Sequence, residues 1–270
     1  MNKWCFFAVF CCILLLCALP AMAQEEQALP VITITYAAGA PLSPEEAVDA
    51  QVTIARDGQE HAFPARLRLN AAAMDSEERE LPQRSLYIKG ADMRFVLYND
   101  GGDALRTKLL STACSGLVAQ CPVAVPVRTQ EPVEVYVNGD YRGLYSRRED
   151  IADAIARFEG LDSAATLNVA DVNKKAFCGD PAGIASALKQ LKALNLSLEA
   201  DRQTLSTLLD TESFLNWAAV NAFFGNLNMK SDVIFYQVGN GPIKCAMGDF
   251  AYALMFAAHN PYASLNTITT

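Results

Sequence analysis

The chain has 270 residues and a formal net charge of −8, and 51% of its residues are hydrophobic. This length and hydrophobic content are sufficient to bury the core of one large domain or of two small ones. The negative charge argues against a nucleic-acid partner, because binding to a phosphate backbone requires clustered Lys and Arg side chains.

The first 23 residues have the pattern of a secretory signal peptide. Lys3 is followed by an apolar run, and the segment ends in a small-x-small cleavage pattern, Ala-Met-Ala, at 21–23. A retained membrane anchor is the alternative, but the run is short for a membrane span and Pro20 ends it. We therefore expect a secreted or cell-surface protein with no membrane span after cleavage, and its net charge becomes −9 once Lys3 is lost.

Four cysteines follow this segment: Cys114, Cys121, Cys178 and Cys245. In an exported chain they could form two disulfides, in one of three connectivities, or they could remain as buried thiols. A zinc site is disfavoured, because close Cys-x-x-Cys pairs are missing from the sequence and the two histidines, His61 and His259, are far apart in it.

The first half of the remaining chain has the alternation and the turn residues of an antiparallel sheet. Five strands are predicted, at Val31–Tyr36, Gln51–Arg56, Arg66–Leu69, Ser85–Lys89 and Arg94–Tyr98. An Asn-Asp-Gly-Gly turn at 99–102 then precedes a helical pattern that begins at Leu105. The clearest hairpin follows at Pro132–Glu149, with Asn138 and Gly139 in its turn.

The second half of the chain changes to a helical pattern. Helices are predicted at Asp150–Phe158, Pro181–Leu194, Ser197–Leu209 and Ser213–Phe224, with an irregular connection at Leu161–Gly179 and a terminal hairpin at Val233–Val238 and Ile243–Met247. The predicted fold class is therefore α+β, with an N-terminal antiparallel sheet followed by a mostly helical part. We predict a single domain over 24–270, with a β-rich lobe at 24–149 and a mainly helical lobe at 150–270.

Polar side chains interrupt the apolar pattern around the terminal hairpin. Asn226, Asn228 and Asp232 follow the last predicted helix, and Asp249 follows the hairpin. An ionised carboxylate among the apolar neighbours of Asp249 would be costly unless it is paired or bound to a metal. We therefore predict a polar site here, although the two asparagines could simply cap the helix.

Several segments resemble the CotH (spore coat protein H) kinase family. The hairpin Val-Tyr-Val-Asn-Gly-Asp-Tyr-Arg-Gly-Leu-Tyr at 135–145, with Glu149 four residues further on, is similar to the hairpin motif of that family. The Arg-Phe-Val-Leu-Tyr strand and the helix start after it, at 94–109, resemble a second family segment. Residues 225–228 and 248–251 resemble its Gly-Asn-x-Asp and Trp-Asp-x-Asp motifs. The chain is identified as a divergent member, either a minimal one or one truncated at its C-terminus.

The resemblance implies an atypical protein-kinase-like fold that binds ATP with Mg²⁺ or Mn²⁺ and phosphorylates Ser or Thr residues of another protein. Phosphoryl transfer needs a group that orients the acceptor hydroxyl, oxygen ligands for the metal and a cation near the phosphates. Glu149 would pair with that cation. By resemblance, the catalytic places fall to Asn228 and Asp249, the metal-binding places to Asp249 and Asp232, and the cofactor-binding places to Glu149, Arg84, Lys89 and Asn226.

The motif positions also differ from the family pattern in four places. Asn228 and Ala251 stand where the family has aspartates, Gly248 where it has tryptophan, and Gln83 where it has a lysine. Loss of a metal-binding or basic carboxylate typically lowers a rate by orders of magnitude. The sequence therefore predicts a degenerate active site, and the alternative to a kinase is a non-catalytic module for binding, adhesion or envelope assembly. Hydrolase motifs such as Gly-x-Ser-x-Gly and His-Glu-x-x-His do not occur in the sequence.

Overall fold

The computed structural model describes residues 28–70, 83–104, 106–226 and 229–254. Seven strands form a closed barrel in the order β1-β2-β3-β4-β5-β7-β6. These strands are β1 Val31–Tyr36, β2 Val48–Arg56, β3 Gln59–Leu69, β4 Leu86–Lys89, β5 Arg94–Tyr98, β6 Gln130–Val137 and β7 Asp140–Glu149. Strands β1 and β6 run parallel and close the barrel, while the other neighbours are antiparallel.

Alternation of apolar residues along the strands builds the barrel interior. Strand β1 buries Ile32 and Ile34, and β6 buries Val133, Val135 and Val137. Because successive side chains of a strand point to opposite faces, one face of each strand fills the interior. Burial of each Val or Ile side chain is worth about 1.5–3 kcal/mol, so this interior is the main source of stability for the barrel.

The rest of the described chain combines helices with a four-stranded sheet of order β11-β10-β8-β9. Its elements are α1 Leu110–Gln120, α2 Ile151–Glu159, β8 Leu167–Asp171, β9 Ala176–Cys178, α3 Ala182–Leu191, α4 Glu199–Leu208, α5 Thr211–Phe224, α6 Met229–Asp232, β10 Val233–Val238 and β11 Lys244–Met247. Apolar residues of α1, α5, β10 and β11 pack together as a second core. No helix within the described residues has the length and apolar character needed to cross a membrane.

The mixed α+β composition is confirmed, but two parts of the predicted architecture are wrong. The N-terminal sheet is a closed barrel with one parallel pair, not a purely antiparallel sheet. The part that follows the barrel has the predicted terminal hairpin as β10 and β11, but this hairpin belongs to a four-stranded sheet that was not predicted. Residues 161–179, predicted as an irregular connection, contribute β8 and β9, and β8 pairs with β10. Local sequence does not reveal this pairing, because three helices separate β9 from α6 and β10.

Predicted turn and cap residues have the expected backbone conformations. Asn138 (φ 51°) and Gly139 (φ 88°) are both left-handed, as the two-residue turn of a tight hairpin requires. Gly225 (φ 55°) ends α5 in the left-handed conformation. These two turns fix where β7 starts and where the chain leaves α5, and both elements lead to the predicted polar site.

The helix predicted to begin at Leu105 begins five residues later, at Leu110. The carboxylate of Asp103 accepts hydrogen bonds from the backbone N–H groups of Leu109 and Leu110, both at 3.2 Å. It also accepts one from the Thr107 hydroxyl at 2.6 Å. A buried aspartate therefore supplies the acceptor that the first N–H groups of α1 need.

All four cysteines that follow the predicted signal peptide are free thiols in the structure. Cys114 and Cys245 are buried, Cys178 is partly buried and Cys121 is exposed. Burial raises the pKa of Cys114 to about 11 and the pKa of Cys245 to about 12. The structure therefore favours free thiols over disulfides, and two of the four thiols, Cys114 and Cys245, are buried.

We expect Cys121 to react first with an alkylating reagent in the folded protein and Cys178 to react more slowly. Cys114 and Cys245 should react after denaturation, because the reactive species is the thiolate and burial disfavours it. Mass spectrometry of peptides from protein alkylated for different times measures the order. Cys121→Ser should remove the fastest phase and leave the others unchanged. Early labelling of Cys245, or a folded protein with no reactive thiol, would contradict this expectation.

Candidate functional site

The predicted site residue Asp249 lies where the barrel meets the second core. It follows β11, and its carboxylate faces Arg148 of β7. Arg148 Nη1 donates to Asp249 Oδ2 at 3.0 Å, and Nη2 donates to Oδ1 at 2.9 Å. The pair is therefore bidentate, which is a strong and directional arrangement of a guanidinium and a carboxylate.

Three further groups hold the Arg148 guanidinium. Nη2 donates to Oγ of Ser111 on α1 at 2.7 Å, and Nε donates to Oε1 of Gln130 on β6 at 2.9 Å. The guanidinium carbon lies 3.5 Å from the ring centroid of Tyr98, in a cation–π contact. The side chain is only 3% exposed. Arg148 thus connects β6, β7 and α1 to the segment after β11.

The Asp249 carboxylate has additional donors besides Arg148. Its Oδ1 accepts from the backbone N–H groups of Phe250 and Ala251 and from the Ser111 hydroxyl. Burial alone would raise the pKa of Asp249, but the charge and hydrogen bonds of Arg148, together with hydrogen bonds from Tyr98 and the Ala251 N–H, lower it to about 2. The carboxylate is therefore ionised at neutral pH and surrounded by hydrogen-bond donors.

A second carboxylate, Asp100, is fully buried in the same cluster. Both of its oxygens accept from the Ser146 hydroxyl on β7, at 2.8 and 3.0 Å. Burial raises the pKa of Asp100 to about 7. The negative charge of Asp249 also raises this pKa, whereas the positive charge of Arg148 lowers it. The cluster therefore contains one carboxylate that is ionised and one that titrates near neutral pH.

Two other predicted site residues lie beside the same segment. Asn226 Nδ2 donates to the carbonyl oxygen of Asp249 at 3.2 Å and to Oδ1 of Asn221 at 2.9 Å. The carbonyl of Asp232 approaches Gly248 so closely that a Cβ at position 248 would clash with it. The structure therefore places the Asn226 side chain and the backbone of Asp232 beside the segment that carries Asp249, and it explains why glycine occupies the place where the family pattern has tryptophan.

Glu149, predicted to bind the cofactor, lies on another face of β7. It pairs with Arg157 of α2 at 3.0 Å and accepts from the backbone N–H of Thr129 at 3.1 Å. It also lines a groove of about 320 Å³ between β5, β6 and β7. The cation that pairs with Glu149 is thus Arg157, which was not predicted to belong to the site.

The two predicted phosphate-binding cations lie elsewhere on the barrel. Lys89 is exposed at the end of β4, where it lies opposite Arg66 and Arg94 of the neighbouring strands. Arg84 precedes β4, and its carbonyl oxygen accepts from the Tyr145 hydroxyl at 3.1 Å. Among the described contacts, neither cation pairs with Glu149, and neither touches the Arg148–Asp249 pair.

The predicted catalytic Asn228 lies outside the described residues. In the ranges that the structure describes, no group of three or more His, Cys, Asp or Glu side chains is arranged to hold a metal ion. Mg²⁺ and Mn²⁺ require oxygen ligands, and both oxygens of Asp249 already accept from guanidinium N–H groups. Asp249 in this arrangement does not fit a metal, and a metal-binding role for Asp232 stays a prediction.

Sequence reasoning missed Arg148 and Asp100. Arg148 directly precedes Glu149, at a position that the hairpin motif leaves unspecified, and Asp100 belongs to a sequence that was predicted only as a turn. The alternation of side chains along β7 could have indicated that Arg148 lies in a polar cluster. Alternate residues share one face of a strand, so Ser146 and Arg148 form a polar pair on the face of β7 opposite to Tyr145, which is buried in the barrel.

Comparison with protein families gives a match over most of the chain. A family model described as CotH kinase protein matches residues 73–268. This range is well over half of the chain, and it contains the resembling segments from Arg94 to Ala251. The predicted family is therefore confirmed. A search of the curated proteins finds no match to this chain.

Proposed function

The chain belongs to the CotH kinase protein family, and we propose that it is an extracytoplasmic, kinase-like protein whose degenerate site does not transfer phosphate. In this proposal it is a pseudokinase-type module that uses its surface for binding, adhesion or envelope assembly. Family membership alone suggests a kinase-like function. The claim that the protein does not transfer phosphate depends on whether Asp249 is free to bind a metal.

The bidentate pair between Asp249 and Arg148 carries this proposal. In phosphoryl transfer, carboxylates hold the metal ions that neutralise the phosphate charge. Asp249 is the acid that remains in the Asp-x-Asp pattern, since Ala251 replaces the second one. Freeing Asp249 for a metal would break a buried ion pair, and a buried pair that loses one partner typically costs about 3–5 kcal/mol. The pair therefore supports a structural role for Asp249.

The sequence supports the location and the class of partner in this proposal. Residues 1–23 have the pattern of a signal peptide, so the chain is expected to act outside the cytoplasm. Its excess of acidic residues disfavours nucleic acid, and the partner in this proposal is another protein or an envelope component. ATP with Mg²⁺ or Mn²⁺, and a protein acceptor with Ser or Thr residues, are what a catalytically active member of the family would require.

A label-transfer assay tests the proposal. The protein that begins at Gln24 is incubated with γ-labelled ATP and either Mg²⁺ or Mn²⁺, alone and with a Ser- and Thr-rich acceptor. We expect no more label on either protein than a heat-denatured sample gives, because Asp249 is held by Arg148 and two acidic places of the motifs are occupied by Asn228 and Ala251.

The control for this assay is Asp249→Asn, used at a temperature at which circular dichroism shows that it is folded. Label transfer by the wild-type protein that disappears in this variant would overturn the proposal and would establish a kinase. Calorimetric titration with MgATP in the same buffer determines separately whether the protein binds the nucleotide without transferring phosphate.

A further inference from the structure

The surroundings of Arg148 are those of a cation site built from oxygen atoms. The carboxylate of Asp249 contacts the guanidinium directly, and so does the Ser111 hydroxyl. The carboxylate of Asp100 belongs to the same cluster through the hydroxyl of Ser146, which lies on β7 two residues before Arg148. Carboxylate and hydroxyl oxygens of this kind are the ligands that Mg²⁺ and Mn²⁺ also use.

We propose that the Arg148 guanidinium takes the place of a divalent cation at Asp249, so that a side-chain cation joins the barrel to the second core. The inference rests on the proposed function in so far as both use the Arg148–Asp249 pair. The inference goes further because it states that a side chain, and not a bound metal, supplies the positive charge of the site.

The backbone around Asp249 agrees with this assignment. The Ala251 N–H donates to Asp249 Oδ1 at 2.8 Å, and the Ala251 side chain has no carboxylate that could bind a metal together with Asp249. Arg128 Nη1 donates to the carbonyl of Gly248 at 3.0 Å, so a second guanidinium lies beside the same segment. Two guanidinium groups would repel an additional divalent cation.

Burial of Arg148 also favours a side-chain cation over a hydrated metal. Mg²⁺ usually keeps several of its water molecules when a protein binds it. The guanidinium needs none here, because Asp249, Ser111 and Gln130 accept from it and the Tyr98 ring covers its face. The site is therefore filled by a cation that is already dehydrated and fixed in orientation.

Removal of the guanidinium should convert this cluster into a metal site. We expect Arg148→Met to leave Asp249 without its cation, in a cluster that also contains the buried Asp100. The melting temperature of this variant should rise by several degrees in millimolar Mn²⁺ and fall again with a chelator. The wild-type protein should melt at the same temperature with Mn²⁺ and with chelator. Thermal melts followed by circular dichroism, together with electron paramagnetic resonance of bound Mn²⁺, measure both effects.

Two other variants keep the test decisive if Arg148→Met does not fold. Arg148→Lys retains one positive charge, so it should fold and remain insensitive to Mn²⁺. Arg147→Met removes the neighbouring arginine, which pairs with Glu131, and should gain no response to Mn²⁺. Bound Mn²⁺ in the wild-type protein that is lost in Asp249→Asn would overturn the inference, whether or not label transfer occurs. Label transfer without Mn²⁺ at Asp249 would instead overturn the proposed function alone.

Discussion

Replacement of Asp249 by asparagine is expected to lower the free energy of unfolding by about 3–5 kcal/mol, because it leaves the charge of Arg148 buried without its partner. Arg148 is 3% exposed, so water has little access to its guanidinium. Typical domains have a stability of about 5–15 kcal/mol, and the variant would therefore lose a large share of it. Urea denaturation at pH 7, followed by circular dichroism, measures the change.

A surface ion pair provides the matched control for this variant. Asp49 pairs with Arg66 at 2.9 Å, the same separation as in the buried pair, but the two side chains are 89% and 55% exposed. Asp49→Asn should therefore cost less than about 1 kcal/mol. Equal losses for Asp49→Asn and Asp249→Asn would show that burial of the pair has no energetic consequence, and would contradict the role assigned to Arg148.

Simultaneous replacement of both charges separates the cost of an unpaired charge from the value of the pair. Buried ion pairs can often be replaced by apolar side chains of similar volume with little loss of stability. Arg148→Met combined with Asp249→Leu should therefore be more stable than Asp249→Asn alone. A double variant as unstable as the single one would mean that the hydrogen bonds to Ser111 and Gln130 matter more than the charge.

The individual strands and turns could be predicted because their signals are local. Strands β1, β5 and β10 have the predicted bounds, and Asn138 and Gly139 form the predicted turn. Closure of the barrel could not be predicted, because it depends on the parallel pairing of β1 with β6, about 100 residues apart. The same limitation explains why β8 was mistaken for an irregular connection.

The candidate site shows a similar division between local and distant information. The apolar neighbours of Asp249 correctly indicated that its carboxylate needs a partner or a metal. The sequence could not identify that partner, because Arg148 lies on a barrel strand whose position depends on the whole fold. The role of Asp100 was even harder to predict. An Asn-Asp-Gly-Gly sequence is typical of an exposed turn, but here the aspartate is fully buried.

Asp100→Asn is the second substitution with a large expected effect, and its effect should depend on pH. An unfolded aspartate has a pKa near 3.9, whereas burial raises the pKa of folded Asp100 to about 7. Between these values the folded protein holds a proton that the unfolded chain has released. The wild-type stability should therefore fall as the pH rises from about 4 to about 7 and then level off. A difference of one in pKa corresponds to about 1.4 kcal/mol, so the total is on the order of 4 kcal/mol.

Asparagine should remove this dependence, because it is neutral throughout the range and resembles the protonated acid in shape. It is also tolerated at the left-handed φ of 69° that Asp100 adopts. The variant and the wild type should be similarly stable near pH 4, and the variant should be the more stable at pH 8. The lowered pKa of Asp249 acts in the opposite direction, since its stabilisation is lost as the pH falls from about 4 towards 2, which lies below this range.

Urea denaturation at a series of pH values between 4 and 8 tests the effect of Asp100→Asn. Asp57→Asn is the matched control, because Asp57 is also left-handed (φ 50°) but is exposed in a hairpin turn. Its stability should follow the wild-type curve at every pH. Parallel curves for Asp100→Asn and the wild type would mean that Asp100 does not hold a proton in the folded protein. If stability becomes independent of pH in Asp100→Asn but not in Asp57→Asn, the titrating group is Asp100, which lies beside Ser146 where the barrel meets the second core.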